Sequence, residues 1–575
     1  MSSILKSGQL CSQQDKNILF GITNLISSVE YVHYKNLSAA IASFDMDHAF
    51  DRAFIPYIVQ VLRHMKFGEK FIRIIIDSHT NITTRFILNG LTEAVNLLFS
   101  FRQGDPISMM LYLIYIEPLL VMLANKLKGL RFPNFTEVDD DYCDDVEIMI
   151  EDEQDLLKAE EIFRKFESFA GAILNRTSKS KIMGIGRYQG RQQWPLPWLK
   201  VEESLKIFGV HIYPTYKKIL EANWTELLKK FRGKLYSWNL RSLDTFQQRV
   251  DFLQIFWTSK LWYLCQVLPL PPSFAAKFEN IIWRFIWVGK LEKLALDETK
   301  NTREQGGLNI VCVRSKADAL FLRQTCRILA EPNLNSYKHL KYWVGLYLEE
   351  ALPDMGGGDH ADRTPAYFQH LKEIFLEAHA AEIIDAQHLN KISAKEIYQD
   401  FTCSFPPPKV IYKYADMPWQ DIWDRLNRPV LSSHERDVMF ILIHNILPTR
   451  ERLFRLNQCR SDQCDRGDGL ENVQHLFTGC VRTQVAWAWC RRKIMHLMPD
   501  SPTYPSDFEL INLAYESPMD DEICWLVTQY CCYVYEQKKL RAHNYVIDVD
   551  KLRTHLMGLY LKNQRGQNIL AHIPF

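Results

Sequence analysis

The chain has 575 residues, 47% of them hydrophobic and 24% charged, which is ordinary globular material with enough length to bury several cores. A formal net charge of +1 excludes a uniformly basic nucleic-acid binder, so any phosphate-binding surface must be local. Thirteen cysteines without a charged-then-apolar leader point to free thiols in a reducing compartment and away from a secreted disulfide framework.

The first predicted element is a strand, Ala40 to Phe44, an apolar run leading into Asp45. A helix follows over Phe54 to Met65, with Ile55, Ile58, Val61 and Leu62 at helical spacing, Pro56 in its first turn and Gly68 past its end. The run Arg85 to Gly90 ends in Asn89-Gly90, the signal of a tight hairpin. In Arg102-Gln103-Gly104-Asp105-Pro106, Gly104 allows close backbone approach to a ligand and Pro106 is placed to start a helix. Arg102 and Gln103 can hydrogen-bond a nucleotide's phosphates and sugar, or a template base. The apolar stretch from Ile107 to Leu127 contains Glu117 and reads as a buried helix, not a membrane span.

Tyr142-Cys143-Asp144-Asp145 comes next, followed by Val146, Ile148 and Ile150 alternating with Glu147 and Met149. This pattern predicts a strand with the acidic doublet at the tip of a hairpin. Adjacent carboxylates repel each other, and a protein keeps such a pair mainly where a divalent cation neutralises it. With Asp45 at the end of a neighbouring strand, three carboxylates converge on one or two magnesium ions, the usual device for in-line phosphoryl transfer. The plain alternative is a solvated acidic loop continuing Asp139, Asp140 and Asp141.

Beyond the doublet, Leu156, Leu157, Ile162, Phe163 and Phe166 give one apolar face of a helix within Asp152 to Ala170. Residues 201–330 carry 20 Lys and Arg against 12 Asp and Glu, interleaved with Trp224, Phe231, Tyr236, Trp238, Phe256, Trp257, Trp262, Tyr263, Trp283, Phe285 and Trp287. Such a stretch can neutralise phosphates and stack on bases, although core packing is the more ordinary use of most of these rings. Residues 351–362 read as a linker, and Pro406-Pro407-Pro408 marks a second break. Cys459, Cys464, His475 and Cys480 offer donors suited to tetrahedral zinc, with a metal-free helical knob as the alternative.

These segments, in this order, resemble the reverse transcriptases of non-LTR retrotransposons, the LINE-type elements. Phe44 to Arg52 is similar to the family's first catalytic motif, Arg102 to Pro106 to its Arg-Gln-Gly-Asp-Pro motif, and Tyr142 to Asp145 to its Tyr-x-Asp-Asp box. Gly171 to Asn175 with Ser178-Lys179-Ser180 resembles the Gly-x-x-x-Asn and Lys-Ser segment, and Leu205 to Val210 the strand that grips the primer end, with Phe208 and Gly209 at its turn. The likeness continues through Trp283 to Trp287 and Gly306 to Ile310, and His475-Leu476-Phe477 with Cys480 looks like the end of the family's cysteine-rich knuckle. His48, Cys143 and the helix start Ile107-Ser108-Met109-Met110 depart from the usual pattern. At Gly467 the knuckle lacks its second cysteine, for which Cys459 could substitute.

The resemblance implies an α+β fold: a right-hand polymerase palm of antiparallel sheet and helices, a mainly α-helical thumb, and a helical C-terminal domain with a zinc knuckle. The implied divisions are a remnant of fingers and palm lead-in at 1–36, palm at 37–212, thumb at 213–345, connecting helices at 346–410, and the knuckle domain at 411–575. Asp45, Asp144 and Asp145 are implied as the catalytic ligands of two Mg2+ ions. Phe50 is implied against the sugar, Arg102, Gln103 and Gly104 around the nucleotide, and Lys179, or else Lys181, near the departing pyrophosphate.

RNA template, DNA primer or nicked target DNA, and deoxynucleotide triphosphates are the implied partners. Asp45 lies so near Met1 that a truncated fingers region is expected, with a second chain or a separate endonuclease supplying what is missing. The expected activity is RNA-directed DNA synthesis inside the cell, in nucleus or cytoplasm, with no membrane. The alternatives are an inactive remnant that binds RNA, and an RNA-dependent RNA polymerase or maturase-like protein.

Overall fold

The computed structural model describes the chain except residues 1–4, 6–9, 12–16, 81, 88–89, 98–100, 103, 143, 238–242, 288–292, 403–404, 500–503, 518, 542–545 and 563–575. It is a mixed α+β protein with two compact units. One comprises residues 1–227, 261–271 and 315–401; the other comprises 228–260, 272–314 and 402–575.

The first unit carries helix α1 (Ile18–Tyr34), strand β1 (Ser38–Asp45), and helices α2 (Ile55–His64) and α3 (Glu69–His79). Short strands β2 (Ile82–Thr84) and β3 (Val95–Leu97) pair antiparallel ahead of the long helix α4 (Ser108–Lys126). Asn89 of the predicted tight turn lies outside the described residues, but Ile87 and Leu91 on either side of it form a bridge. Then come β4 (Leu130–Arg131), β5 (Thr136–Glu137), β6 (Asp139–Tyr142), β7 (Asp145–Ile150) and α5 (Gln154–Ala170). Strands β8 (Lys181–Gly186), β9 (Lys200–Val201), β10 (Leu205–Ile207) and β11 (Val210–Ile212) follow.

The main sheet has the order β6-β7-β1-β8-β9 and is antiparallel except for the β8–β9 pair. Register divides β1 cleanly. Ala40, Ala42 and Phe44 oppose Ile150, Ile148 and Val146 on one face, and all six belong to a core shared with Ile58 and Leu62 of α2, Leu119 of α4, and Phe163 and Phe166 of α5. The Phe44 and Phe163 rings lie 4.8 Å apart. Alternate residues of the strand turn to the other face, where Ile41 opposes Met149 and Met183, Ser43 opposes Glu147 and Lys181, and Asp45 opposes Asp145. That second face therefore grades from apolar to acidic along the strand.

Helix α4 is, among the described residues, the one helix long and apolar enough to cross a membrane, and it is mostly buried in the protein. Tyr115 on it donates a hydrogen bond of 2.6 Å to the carbonyl of Ala170 at the end of α5, which ties the two helices beneath the sheet. Gly171 then turns the chain with φ at 77°, the left-handed conformation that favours glycine at a helix end.

In the second unit the aromatic residues of the basic stretch mainly build core. Phe231 packs edge-on against Trp257 at 5.2 Å, Phe252 stacks with Phe285 at 5.8 Å, and Trp287 meets Phe246 at 4.8 Å. Phe256 is exposed; Trp238 lies outside the described residues. A Cβ at Gly306 would fall 2.5 Å from the buried Trp423 ring, which explains a glycine in the segment Gly306 to Ile310. Residues 351–362, in the first unit, run against the helix Asn335–Leu348: Lys341 donates to the Asp354 carbonyl at 2.8 Å, and Met355 is fully buried.

Because Phe163 sits directly beneath the strand that ends in Asp45, Phe163→Ala should destabilise the first unit by about 3–5 kcal/mol through lost burial and the cavity left behind. The denaturation midpoint followed by a probe in that unit measures it.

Candidate active site

Asp45 and Asp145 are direct partners across the β1–β7 ladder, and Asp144 occupies the turn between β6 and β7. The strands put three carboxylates at one end of the sheet. Partial desolvation and the negative charges of Asp144 and Asp45 push the Asp145 carboxyl up to about 6, against the pull of Lys179. Asp144 is raised as well, first by desolvation and then by Asp45. Such upward shifts are what desolvation and mutual repulsion produce in a cluster of carboxylates.

Lys179 is the nearest cation, with Nζ 3.3 Å from Asp45 Oδ2. No hydrogen bond ends on that buried oxygen. Lys181 turns elsewhere: its Nζ lies 3.6 Å from Glu202. The observed geometry therefore separates the two lysines that spacing alone leaves open.

The loop that carries Lys179 is fastened to the end of β1. The amide of Asn175 donates to the Asp45 carbonyl at 2.8 Å, Asp47 N–H to the Ile173 carbonyl at 2.8 Å, and Asp45 N–H to Ser180 Oγ at 3.3 Å. Ser180 Oγ in turn donates to the Asn175 carbonyl at 2.7 Å. Asn175 Oδ1 accepts the amides of Thr177 and Ser178 at 3.3 and 3.1 Å, an Asx turn that shapes the loop. From the far side Arg176 clamps onto α5, with Nε 3.1 Å from Glu160 and Nη1 2.7 Å from Glu167. Arg176, Glu160 and Glu167 carry no motif, so sequence reasoning passes over them. Their only signal is the i, i+7 spacing of the two glutamates on one helix face.

Phe50 is half-buried and stacks on Tyr112 of α4 with centroids 4.6 Å apart, while its carbonyl accepts the Phe101 amide at 2.9 Å. That bond ties the turn after Asp45 to the strand of chain that leads into Arg102. Arg102 donates to Asp105 at 3.0 Å and to the Ser78 carbonyl at 3.2 Å. Asp105 Oδ1 accepts the Ile107 amide at 3.1 Å, holding the start of α4. Gly104 has φ at 87° with open space where a Cβ would point, so its glycine serves the backbone conformation. Gln103 lies outside the described residues.

Phe208 and Gly209 form the two-residue turn between β10 and β11, with φ of 50° and 80°. Asparagine or glycine is the usual occupant of such a first position, and an aromatic there is strained. The Phe208 ring fills the space over Gly21, where a Cβ would meet it at 2.7 Å, and Tyr263 Oη donates to the Phe208 carbonyl. Packing and that hydrogen bond fix the turn.

In the second unit, ligand atoms of Cys464, Asp468, His475 and Cys480 all lie within 4.8 Å of one another. Cys459 is not among them; its Sγ faces the carbonyls of Ser461 and Arg450 at 3.1 and 3.5 Å. The expected set of Cys459, Cys464, His475 and Cys480 is thus brought together in three of its members, and Asp468, which sequence reasoning missed, takes the remaining place. An aspartate is a hard ligand to spot, since position 467 draws the eye by its family spacing and Asp468 stands one residue later.

Compared with known proteins, the chain is 26% identical over 349 residues to the Transposon TX1 uncharacterized 149 kDa protein of Xenopus laevis, across 58% of this chain and 26% of that relative. The chain is similar to a transposon-encoded protein. This agrees with the resemblance to LINE-type elements carried by the ordered motifs. The chain spans about a quarter of that relative's length. No family model matches it. A solved telomerase from Candida albicans, in complex with a fragment of telomeric RNA, aligns over 59% of this chain and 53% of that one with 12% identity and a TM-score of 0.25, too low a likeness to bear on the fold.

The donor set of Asp45, Asp144 and Asp145 fits a hard divalent cation such as magnesium: oxygen ligands only, mutual repulsion, and a buried Asp45 oxygen without a hydrogen bond. Asp145→Asn should therefore stabilise the metal-free protein by roughly 0.2–1 kcal/mol, since it removes like charges directly opposed across a strand pair. The same change should abolish any rise in melting temperature produced by Mg2+. A full Mg2+ response in the variant would remove Asp145 from the ligand set.

Proposed function

We propose that the chain is an RNA-directed DNA polymerase of a LINE-type element, joining deoxynucleotides to a primer 3′-hydroxyl on an RNA template. The observation that carries this reading is the pairing of Asp45 with Asp145 across β1 and β7, with Asp144 in the adjoining turn and Lys179 on Asp45. In this reading the palm spans 37–212, the thumb 213–345, connecting helices 346–410 and a knuckle domain 411–575, with the lead-in at 1–36. The protein works inside the cell, in nucleus or cytoplasm, on an RNA template and a DNA primer or nicked target.

Asp45, Asp144 and Asp145 would hold two magnesium ions, which would supply Lewis-acid stabilisation of the charge that develops on phosphate oxygens. The primer 3′-hydroxyl gives up its proton to solvent as O3′ forms a bond to the α-phosphorus, while the bond to the bridging oxygen breaks and pyrophosphate departs. Lys179 supplies positive charge beside the leaving group, and its tether through Asn175 and Ser180 keeps it there. Phe50, backed by Tyr112, walls the sugar and excludes a 2′-hydroxyl by steric contact. Arg102, Gln103 and Gly104 border the nucleotide, and the turn of Phe208 and Gly209 steadies the primer end. Positioning is the main contribution of these groups.

Extension of a labelled DNA primer on an RNA template, with Mg2+ and deoxynucleotides, tests the reading. The intact chain should extend the primer, and Asp144→Asn should lose at least about 100-fold in rate, the scale at which a positioned charge-stabilising group acts. RNA binding without extension by either protein would leave an inactive remnant. Phe50→Val should raise ribonucleotide incorporation by roughly 10-fold or more relative to deoxynucleotides, the discrimination available from a steric contact in a pocket. Equal use of both nucleotides by the unmodified protein would favour an RNA polymerase.

A further inference from the structure

We propose that Cys464, Asp468, His475 and Cys480 form a tetrahedral zinc site in which Asp468, and not Cys459, gives the fourth ligand. The inference does not depend on the proposed polymerase reaction, and it assigns a ligand set of two thiolates, one imidazole and one carboxylate.

The geometry is that of a coordination shell. Zinc bonds of about 2.3 Å to sulfur and about 2.0–2.1 Å to nitrogen and oxygen, arranged tetrahedrally, set two thiolates roughly 3.8 Å apart and an imidazole nitrogen roughly 3.3 Å from a carboxylate oxygen. The Cys464 and Cys480 sulfurs are 3.8 Å apart, and His475 Nε2 is 3.3 Å from Asp468 Oδ1. Two independent edges of the tetrahedron agree with the same central ion. Both cysteines are buried. The His475 Nε2 atom is buried as well and makes no hydrogen bond, an arrangement that costs free energy unless a further partner accepts the lone pair.

The surroundings orient these donors. Asp468 Oδ2 accepts the Val481 amide at 2.9 Å, which leaves Oδ1 turned to His475 and the sulfurs; a ligating carboxylate is ordinarily held in this way by a second hydrogen bond. The Cys480 amide donates to the His475 carbonyl at 2.7 Å, and the Cys464 amide to the Gly469 carbonyl at 2.8 Å. Gly467 and Gly469 have φ of 73° and 137°, so the loop from Cys464 to Asp468 is closed by residues that accept those conformations without strain. Cys459 is engaged by main-chain carbonyls outside this group.

A carboxylate in place of a thiolate keeps the charge of the ligand set while making it harder, which shifts preference away from soft ions such as Cu(I). The test uses the full chain, loaded with Zn2+ for metal counting and with Co2+ for its sulfur-to-metal charge-transfer band. One zinc per chain is expected. Cys459→Ser should retain it with an unchanged Co2+ spectrum, whereas Asp468→Ala should weaken Zn2+ binding roughly 10-fold or more. Asp468→Cys should restore binding and raise the charge-transfer intensity roughly 1.5-fold, from two thiolates to three. Metal lost in Cys459→Ser but kept in Asp468→Ala would overturn the assignment, as would a three-thiolate spectrum or an absence of bound zinc in the unmodified chain.

Discussion

Two carboxylates, Asp45 and Asp145, face each other across adjacent strands, and the first unit is arranged around holding them there. Like charges opposed in a strand pair destabilise it, so the pairing persists only because the reverse face of the same strands is firmly anchored. Ala40, Ala42 and Phe44 with their partners Ile150, Ile148 and Val146 are buried completely, and slipping the register by one residue would pull them out of the core they share with α2, α4 and α5 and turn the acids into it. The hydrophobic face thus sets the position of the charged one. Stability resides in the core beneath the sheet, and the carboxylates gather at its repulsive end.

Around that end, polar contacts act on position more than on stability. The loop from Ile173 to Ser180 is stitched to the Asp45 backbone by hydrogen bonds from both sides, and the Arg176 clamp on Glu160 and Glu167 holds it from beneath. Lys179 can then reach Asp45 while its own stem stays largely solvated. The Phe50 ring, stacked on Tyr112, and the Phe101 amide bond join the same scaffold to the segment containing Arg102 and Gly104. Residues dispersed along the chain share one rigid frame, which is how a cleft keeps electrostatic groups aimed without reorganising.

The parts of this arrangement that follow local rules were legible in the sequence. Alternation of Val146, Ile148 and Ile150 announces a strand, the helical spacing from Leu156 to Phe166 announces α5, and the apolar run after Pro106 announces α4; each appears with ends within a few residues of expectation. The clustering of Asp45 with the doublet was also legible, because repelling acids need a reason to be adjacent. What escaped is whatever depends on pairing between distant segments. Neither the place of β8 beside β1 nor the Arg176 clamp has a local period. Lys179 and Lys181 sit two residues apart, but Lys179 lies in the turn before β8 and Lys181 is its first residue, so they reach different carboxylates. Asp468 escaped for a different reason: a carboxylate is so common on exposed loops that it carries no signal until the fold places it beside two sulfurs and an imidazole.

In the proposed reading, the acidic end of the β1–β7 pair is a divalent-metal site. Iron(II), which substitutes for magnesium and, with added hydrogen peroxide and ascorbate, generates hydroxyl radicals where it binds, tests this most directly by cutting the nearby main chain. The expected cuts fall around Asp45 and around Asp144 and Asp145, are suppressed by excess Mg2+, and vanish in Asp45→Asn. Cleavage elsewhere, or cleavage at these positions that neither magnesium nor the substitution removes, would contradict the account.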